Sequence, residues 1–186
     1  DGTNVFIAYM AHDKEYYHWN IYCMRHDGST TTRDIIADES TRDLRDPDVS
    51  CQGPGLFNVV WTEKIDGENK VCQKRWTGSS WTGRSVVLNA FSQQPVPRAV
   101  PFSTDDSVIC RDGSGNCLDW AMLGNSAHII EAPVPCDWST DCFSAQIITV
   151  AVRCADNGIR VKRIDHSQPS SDGIDVRGNT VERSEE

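Results

Sequence analysis

Three things are scarce or missing in this 186-residue chain, and each excludes a class of protein. Long apolar runs are missing: none approaches the ~18–20 residues of a membrane-spanning helix. Net positive charge is missing. Lys and Arg total 18 against 27 Asp and Glu, a formal charge of −9. That argues against general nucleic-acid binding, which needs basic surface to displace phosphate counterions, and against docking on anionic lipid. Helical periodicity is missing too, since no sustained i, i+3, i+4, i+7 apolar stripe occurs. The chain opens polar, Asp1-Gly2-Thr3-Asn4, without a signal-peptide pattern, so an exported protein would be a mature form or a fragment. None of the nine Asn residues sits in an Asn-x-Ser/Thr sequon, which tilts weakly towards a prokaryotic or unglycosylated source. Hydrophobic residues reach only 38%, but six Trp, five Phe and four Tyr supply core material.

Cysteine, in contrast, is plentiful. Cys23, Cys51, Cys72, Cys110, Cys117, Cys136, Cys142 and Cys154 make an even count of eight. In a chain of this size that pattern predicts disulfides and an oxidising, extracellular or cell-surface location. A zinc site favours C-x₂₋₄-C knuckles, and none is present. Reduced, buried cysteine is the remaining alternative. The best local pairs are Cys110–Cys117, around Asp112-Gly113-Ser114-Gly115-Asn116, and Cys136–Cys142, around Asp137–Asp141.

Short runs of β-branched and aromatic residues, separated by Gly, Asp, Asn and Ser, predict an all-β chain. The runs repeat. Ile21-Tyr-Cys-Met-Arg25-His-Asp-Gly28 matches Val71-Cys-Gln-Lys-Arg75-Trp-Thr-Gly78, and Ile159-Arg-Val-Lys-Arg163 repeats the first part. Cys117–Gly124 keeps the Gly and loses the Arg. The key positions 25, 75, 121 and 163 are 50, 46 and 42 residues apart. Each is preceded by a strand-like run and followed by a short aliphatic pair. Three or four strands every 40–50 residues is the pattern of β-propeller blades. The expected units are residues 4–38, 46–90, 97–132 and 143–177.

Asn20–Ser29 resembles the third strand and turn of TolB-like (PD40/WD40-like) β-propeller repeats. Asp46–Ser50 resembles their first strand, and Val59–Thr62 their second. The resemblance is good over about residues 4–90, degenerate over 97–132 and partial over 143–177. It implies a propeller of about four visible blades, either closed within the chain or part of a larger ring. It implies architecture more than activity, because propellers host lectins, scaffolds and enzymes alike. The first unit starts at its second strand, so residues 179–186 are expected to close the ring, to donate a strand to another copy, or to form a tail.

Candidate site residues follow from the repeats. Arg25, Arg75 and Arg163 are aligned and either line a ligand surface or tie neighbouring loops through carboxylates. Trp76 and Trp81 sit in the turn Trp76-Thr-Gly-Ser-Ser-Trp81 and are the best surface-recognition candidates, with packing between blades as the plain alternative. Tyr9 and Trp61, at equivalent strand positions, read as core. Asp112, Ser114 and Asn116 offer alternating oxygens that would suit Ca²⁺, yet the segment reads first as a hairpin turn, and no cofactor is expected. His12, His18, His26, His128 and His166 are present without a Gly-x-Ser-x-Gly elbow. The sequence therefore predicts a non-catalytic extracellular protein. It either assembles with itself or another protein through blade edges and loops, or binds glycans as a lectin-like propeller. A fragment of a larger secreted propeller hydrolase is the third reading.

Overall fold

The computed structural model describes residues 4–13, 18–38, 43–53, 55–91, 95–99, 107–111, 118–122, 125–130, 135–144, 147–154, 159–165 and 179–181, with side chains over 4–12, 18–38, 43–51, 55–88, 95–99 and 110. Every regular element among them is a strand, and the strands form four antiparallel sheets. The first sheet has three strands: β1 (Val5–Asp13), β2 (His18–His26) and β3 (Thr31–Ala37). The second has four: β4 (Leu44–Gly53), β5 (Leu56–Ile65), β6 (Glu68–Trp76) and β7 (Ser85–Phe91). The third contains β8 (Val96–Ala99), β9 (Ser107–Arg111), β10 (Leu118–Met122) and β11 (Asn125–Ile130). The fourth contains β12 (Pro135–Ser144), β13 (Ile147–Cys154), β14 (Ile159–Asp165) and β15 (Asn179–Val181). Each sheet is a meander in chain order, so the all-β, repeated organisation expected from sequence is the observed one.

The register fixes the repeat. Phe6 lies opposite Arg25, Asn58 opposite Arg75, and Thr149 opposite Arg163. Side chains alternate between faces of a strand, so the second sheet carries one face towards the first sheet and one towards the third. Phe57, Val59 and Trp61 of β5 face the first sheet, where Phe57 stacks on Phe6 with ring centroids 3.5 Å apart. Between these sheets Val59, Trp61 and Cys72 pack with Ile21, Cys23, Ile36 and Leu44, all sealed from solvent. On the other face of the second sheet, Val60, Val71 and Val87 pack with Ala99 and Cys110 of the third. The core is thus a series of apolar layers between sheets, as in a stack of blades.

Polar ties cross the same gaps. Lys74 Nζ donates to the Ile36 carbonyl at 2.7 Å, and Thr62 Oγ1 donates to the Pro95 carbonyl at 2.8 Å. The Ala99 N–H donates to Asp48 Oδ2 at 2.9 Å. Asp48 reaches Ala99 from a β-bulge between Arg45 and Asp48, where Asp46 adopts φ 51°. Burial pushes the Asp48 carboxyl above the ordinary carboxylate value of 3.8, and the Ala99 N–H and Arg98 only partly offset it. From pH ~3.8 upward, to the raised native value, the folded chain therefore binds this proton more tightly than the unfolded one. Stability from this group falls as pH rises through that window. Asp48→Asn keeps an acceptor for Ala99 and removes the titration. Urea midpoints measured between pH 4 and pH 7 should decline less steeply in the variant. Parallel pH profiles for the two proteins would contradict the assignment.

Two expectations need correction. Cys136 and Cys142 lie on one strand, β12, rather than flanking a turn. Six residues of extended chain span roughly 20 Å, far beyond the ~4.4–6.8 Å between Cα atoms of a disulfide. Of the other cysteines, Cys23, Cys72 and Cys110 are buried and Cys51 is half-buried. Burial, reinforced by Asp34, pushes the Cys23 thiol up to about 12, so it stays protonated and inert at neutral pH. Cys117 lies outside the described residues, and Cys154 ends β13. Second, Asn179–Val181 is not a spare strand. It pairs with Ile159–Val161 as the outer strand of the fourth sheet, the place expected for Ile174–Val176, which lie outside the described residues. The nearest unfilled edge wins because closing a short connection costs less entropy than reaching a distant sheet.

Candidate functional site

The β6–β7 connection is built to hold two indoles. Thr77 and Ser80 close a tight turn, with the Thr77 N–H donating to the Ser80 carbonyl at 3.0 Å. Gly78 stands at φ 93°, in the left-handed region a side chain disfavours. Beyond the turn, Thr82 N–H donates to the Arg75 carbonyl at 2.8 Å, and the Arg75 N–H donates to Thr82 Oγ1 at 3.0 Å. The turn folds Trp81 back against Trp76, with ring centroids 5.5 Å apart and an edge-to-face angle of 60°.

Trp76 lies opposite Phe57 in the ladder, on the face that meets the first sheet. The Arg25 guanidinium sits over the Trp76 ring, 3.9 Å from its centroid. Arg25 Nε also donates to Asp34 Oδ2 at 2.6 Å, a short charge-assisted bond between β2 and β3. The Trp81 indole N–H donates to the same oxygen at 3.0 Å. Phe6 completes the floor, edge-on to Trp81 at 6.5 Å. Five polar or aromatic groups from two sheets therefore meet at one end of their interface. The Arg25 and Asp34 side chains are 25% and 21% exposed, so the cluster is reachable from solvent. The residues of the turn beside it, Thr77–Ser80, are exposed.

The arrangement suits a neutral, hydroxylated ligand. Arg25 uses only Nε on Asp34, and Asp34 uses only Oδ2, so both keep further hydrogen-bonding capacity. The pair presents donors and an acceptor side by side with balanced charge, and the indoles offer apolar faces beside them. A few fixed polar groups set in an aromatic wall is the general form of a small-molecule site. Among the described residues Asp34 is the carboxylate of the cluster, and it is engaged by Arg25 and Trp81.

Of the sequence-level candidates, the structure brings Arg25, Trp76 and Trp81 together. Arg75 does not join them. It occupies the alternate face of the second sheet, with Asn58 beside it in the ladder, and serves the cluster only through its backbone. Arg163 stands on β14 opposite Thr149. Asp112, Ser114 and Asn116 lie outside the described residues. Among the described residues no group of three metal-ligating side chains converges, and no helix is long and apolar enough to cross a membrane. Trp61 is core, as expected, while Tyr9 is half-buried against Tyr22 at 5.7 Å. Asp34 is the residue that sequence reasoning missed. It immediately precedes the aliphatic pair Ile35-Ile36, and the signal was a lone acid in an otherwise apolar strand end.

No family model matches the chain, and no curated protein matches it. Solved structures do. A point mutant of Aleuria aurantia lectin in complex with Fucα1-6GlcNAc superposes with a TM-score of 0.62 at 14% identity, covering 96% of this chain and 57% of that one. The crystal structure of the same fungal lectin, described as a six-bladed β-propeller with a novel fucose recognition mode, gives 0.61 at 15% identity, covering 96% and 56%. The chain spans just over half the length of these two proteins. At such identities the likeness carries the fold: an all-β chain of propeller-like sheets, similar to lectins.

Proposed function

We propose that this chain is a non-catalytic, carbohydrate-binding β-propeller, with Arg25, Asp34, Trp76 and Trp81 as its sugar contact. The observation that carries the reading is the Arg25–Asp34 pair set against two indoles at an accessible rim between sheets. A sugar offers vicinal hydroxyls and an apolar C–H face, and this cluster offers a partner for each. The structural likeness to a lectin solved with fucose-containing ligands supports the same reading. The acidic net charge disfavours anionic sugars, so neutral glycans are the expected class.

A panel of neutral and acidic glycans, followed by calorimetry on the best binder, tests this. The wild-type chain should bind neutral members. Losing a charge-assisted hydrogen bond costs about 1.5–3 kcal/mol, or roughly 10- to 100-fold in Kd. Asp34→Asn and Trp76→Ala should each weaken binding by that order with unchanged circular dichroism. The proposal fails if no glycan binds, or if both folded variants bind as well as the wild type.

A further inference from the structure

The four sugar-contact residues come from two different sheets. Arg25 and Asp34 stand on β2 and β3, and Trp76 and Trp81 on β6 and the turn that follows it. The contact therefore works only if the gap between the sheets is fixed. Two interactions cross it at the rim, Arg25 over Trp76 and the Trp81 indole on Asp34. Both are made by the groups that would meet the ligand, so neither holds the gap independently of the occupant.

One rung further in, a different residue crosses. Lys74 shares the face of β6 that carries Trp76, two residues or roughly 7 Å away. Its Nζ donates to the Ile36 carbonyl at 2.7 Å. That carbonyl is available because Ile36 is the extra residue of a bulge: Tyr22 pairs with Ile35, and Ile21 with Ala37. An extra residue drops out of the ladder. Ile36 is 1% exposed, so its carbonyl needs a partner inside the protein. The bulge also turns both Ile36 and Ala37 into the layer that the second sheet seals. Lys74 thus grips β3 two residues beyond Asp34. Among the described residues its hydrogen bond goes to Ile36 and to none of the four contact residues.

Building on the carbohydrate-binding reading, we infer that Lys74 is a positioning residue: its bond to the bulged carbonyl sets the distance between the Arg25–Asp34 pair and the two indoles. An ammonium on a carbonyl is a charge-assisted bond, shorter and stronger than a neutral one, and it does not depend on a ligand. A recognition site needs its groups held within about 0.5 Å of the binding geometry by supporting residues, and Lys74 supplies that support from below the rim.

NMR of the 186-residue chain reads the positioning through the Trp81 indole N–H, assigned with Trp81→Phe. In Lys74→Met, which keeps the stem and loses the donor, this resonance should move upfield and exchange faster with water as its bond to Asp34 loosens. The Trp61 indole N–H donates to Glu63 Oε2 in the same layer. It should stay in place and serves as the reference. Calorimetry with the methyl glycosides of glucose, galactose, mannose and fucose gives the second readout. Each glycoside that binds should weaken by a similar factor, roughly 3- to 30-fold in Kd, because Lys74 acts through the gap and not on one hydroxyl. Lys74→Arg, which keeps a charged donor, should restore both the resonance and the Kd. A merely structural bond would lower the urea midpoint of Lys74→Met and leave the Trp81 resonance and the Kd of the folded variant at wild-type values, and that result overturns the positioning role. So does a moved resonance with an unchanged Kd. If Lys74→Met does not fold, Lys74→Gln, whose amide ends one bond short of Ile36, is read in its place by the same criteria. If no glycoside binds the wild-type chain, the sugar reading fails on its own, and the Trp81 resonance still decides whether Lys74 fixes the gap.

Discussion

Trp61→Ala is expected to be the most damaging single truncation in the described part of the chain. Trp61 is 0% exposed and is the largest of the fully buried side chains. It lies in the layer between the first two sheets, against Ile21, Cys23, Ile36, Leu44, Val59 and Cys72. Removing a buried Trp costs about 3–5 kcal/mol, part from lost transfer energy and part from the cavity left behind. A strand pinned on both sides by neighbouring strands cannot collapse far into that cavity, so the upper half of the range is expected. Domains are stable by only about 5–15 kcal/mol in total, and the variant should lose much of its margin. Urea unfolding checks it, and a cost under about 1 kcal/mol would mean that the sheets repack freely. The candidate sugar site lies in the same interface, so binding should weaken along with stability.

That interface also shows how far the sequence could be read. The fold was legible because a blade repeats, and repetition averages out the weak signal of any one strand. Arg25 could be aligned with Arg75, and Trp76 and Trp81 could be placed in one turn, because both facts are local. The partner of Arg25 could not be named. Asp34 lies nine residues away, and only the pairing of β2 with β3, unbroken from His26–Thr31 to Cys23–Asp34, sets it beside the guanidinium. A one-residue change of register would have pointed it to the other face. The sequence pairs Cys136 with Cys142 across Asp137–Asp141, where Asp137, Ser139, Thr140 and Asp141 are residues common in turns. The ladder of β12 with β13 overrides that preference, since antiparallel pairing rewards a row of backbone groups whatever the side chains. A cysteine count could not show that Cys23, Cys72 and Cys110 would also fill apolar positions between sheets.

Arg84→Met should cost about 3 kcal/mol, a loss that its place on an exposed loop edge would not suggest. The reason is Glu63, whose side chain is 0% exposed and whose Oε1 accepts from Arg84 Nη1 at 2.5 Å. Its other oxygen accepts from the Trp61 indole N–H at 3.2 Å. Breaking a buried ion pair from one side typically costs ~3–5 kcal/mol, because a desolvated charge is left behind. Arg84 is itself 34% exposed, and water entering beside Glu63 will soften the loss, which places the expectation at the lower end. Glu63→Gln removes the buried charge that Arg84 offsets while keeping an acceptor for Trp61, so Glu63→Gln combined with Arg84→Met should be more stable than Arg84→Met alone. A favourable coupling of about 1–2 kcal/mol in a double-mutant cycle would show that the pair acts as a unit clamping the start of β7 to β5. Strict additivity would contradict the clamp. It would mean that solvent, rather than Arg84, neutralises Glu63 and that the second sheet holds its Trp61 face through apolar packing alone.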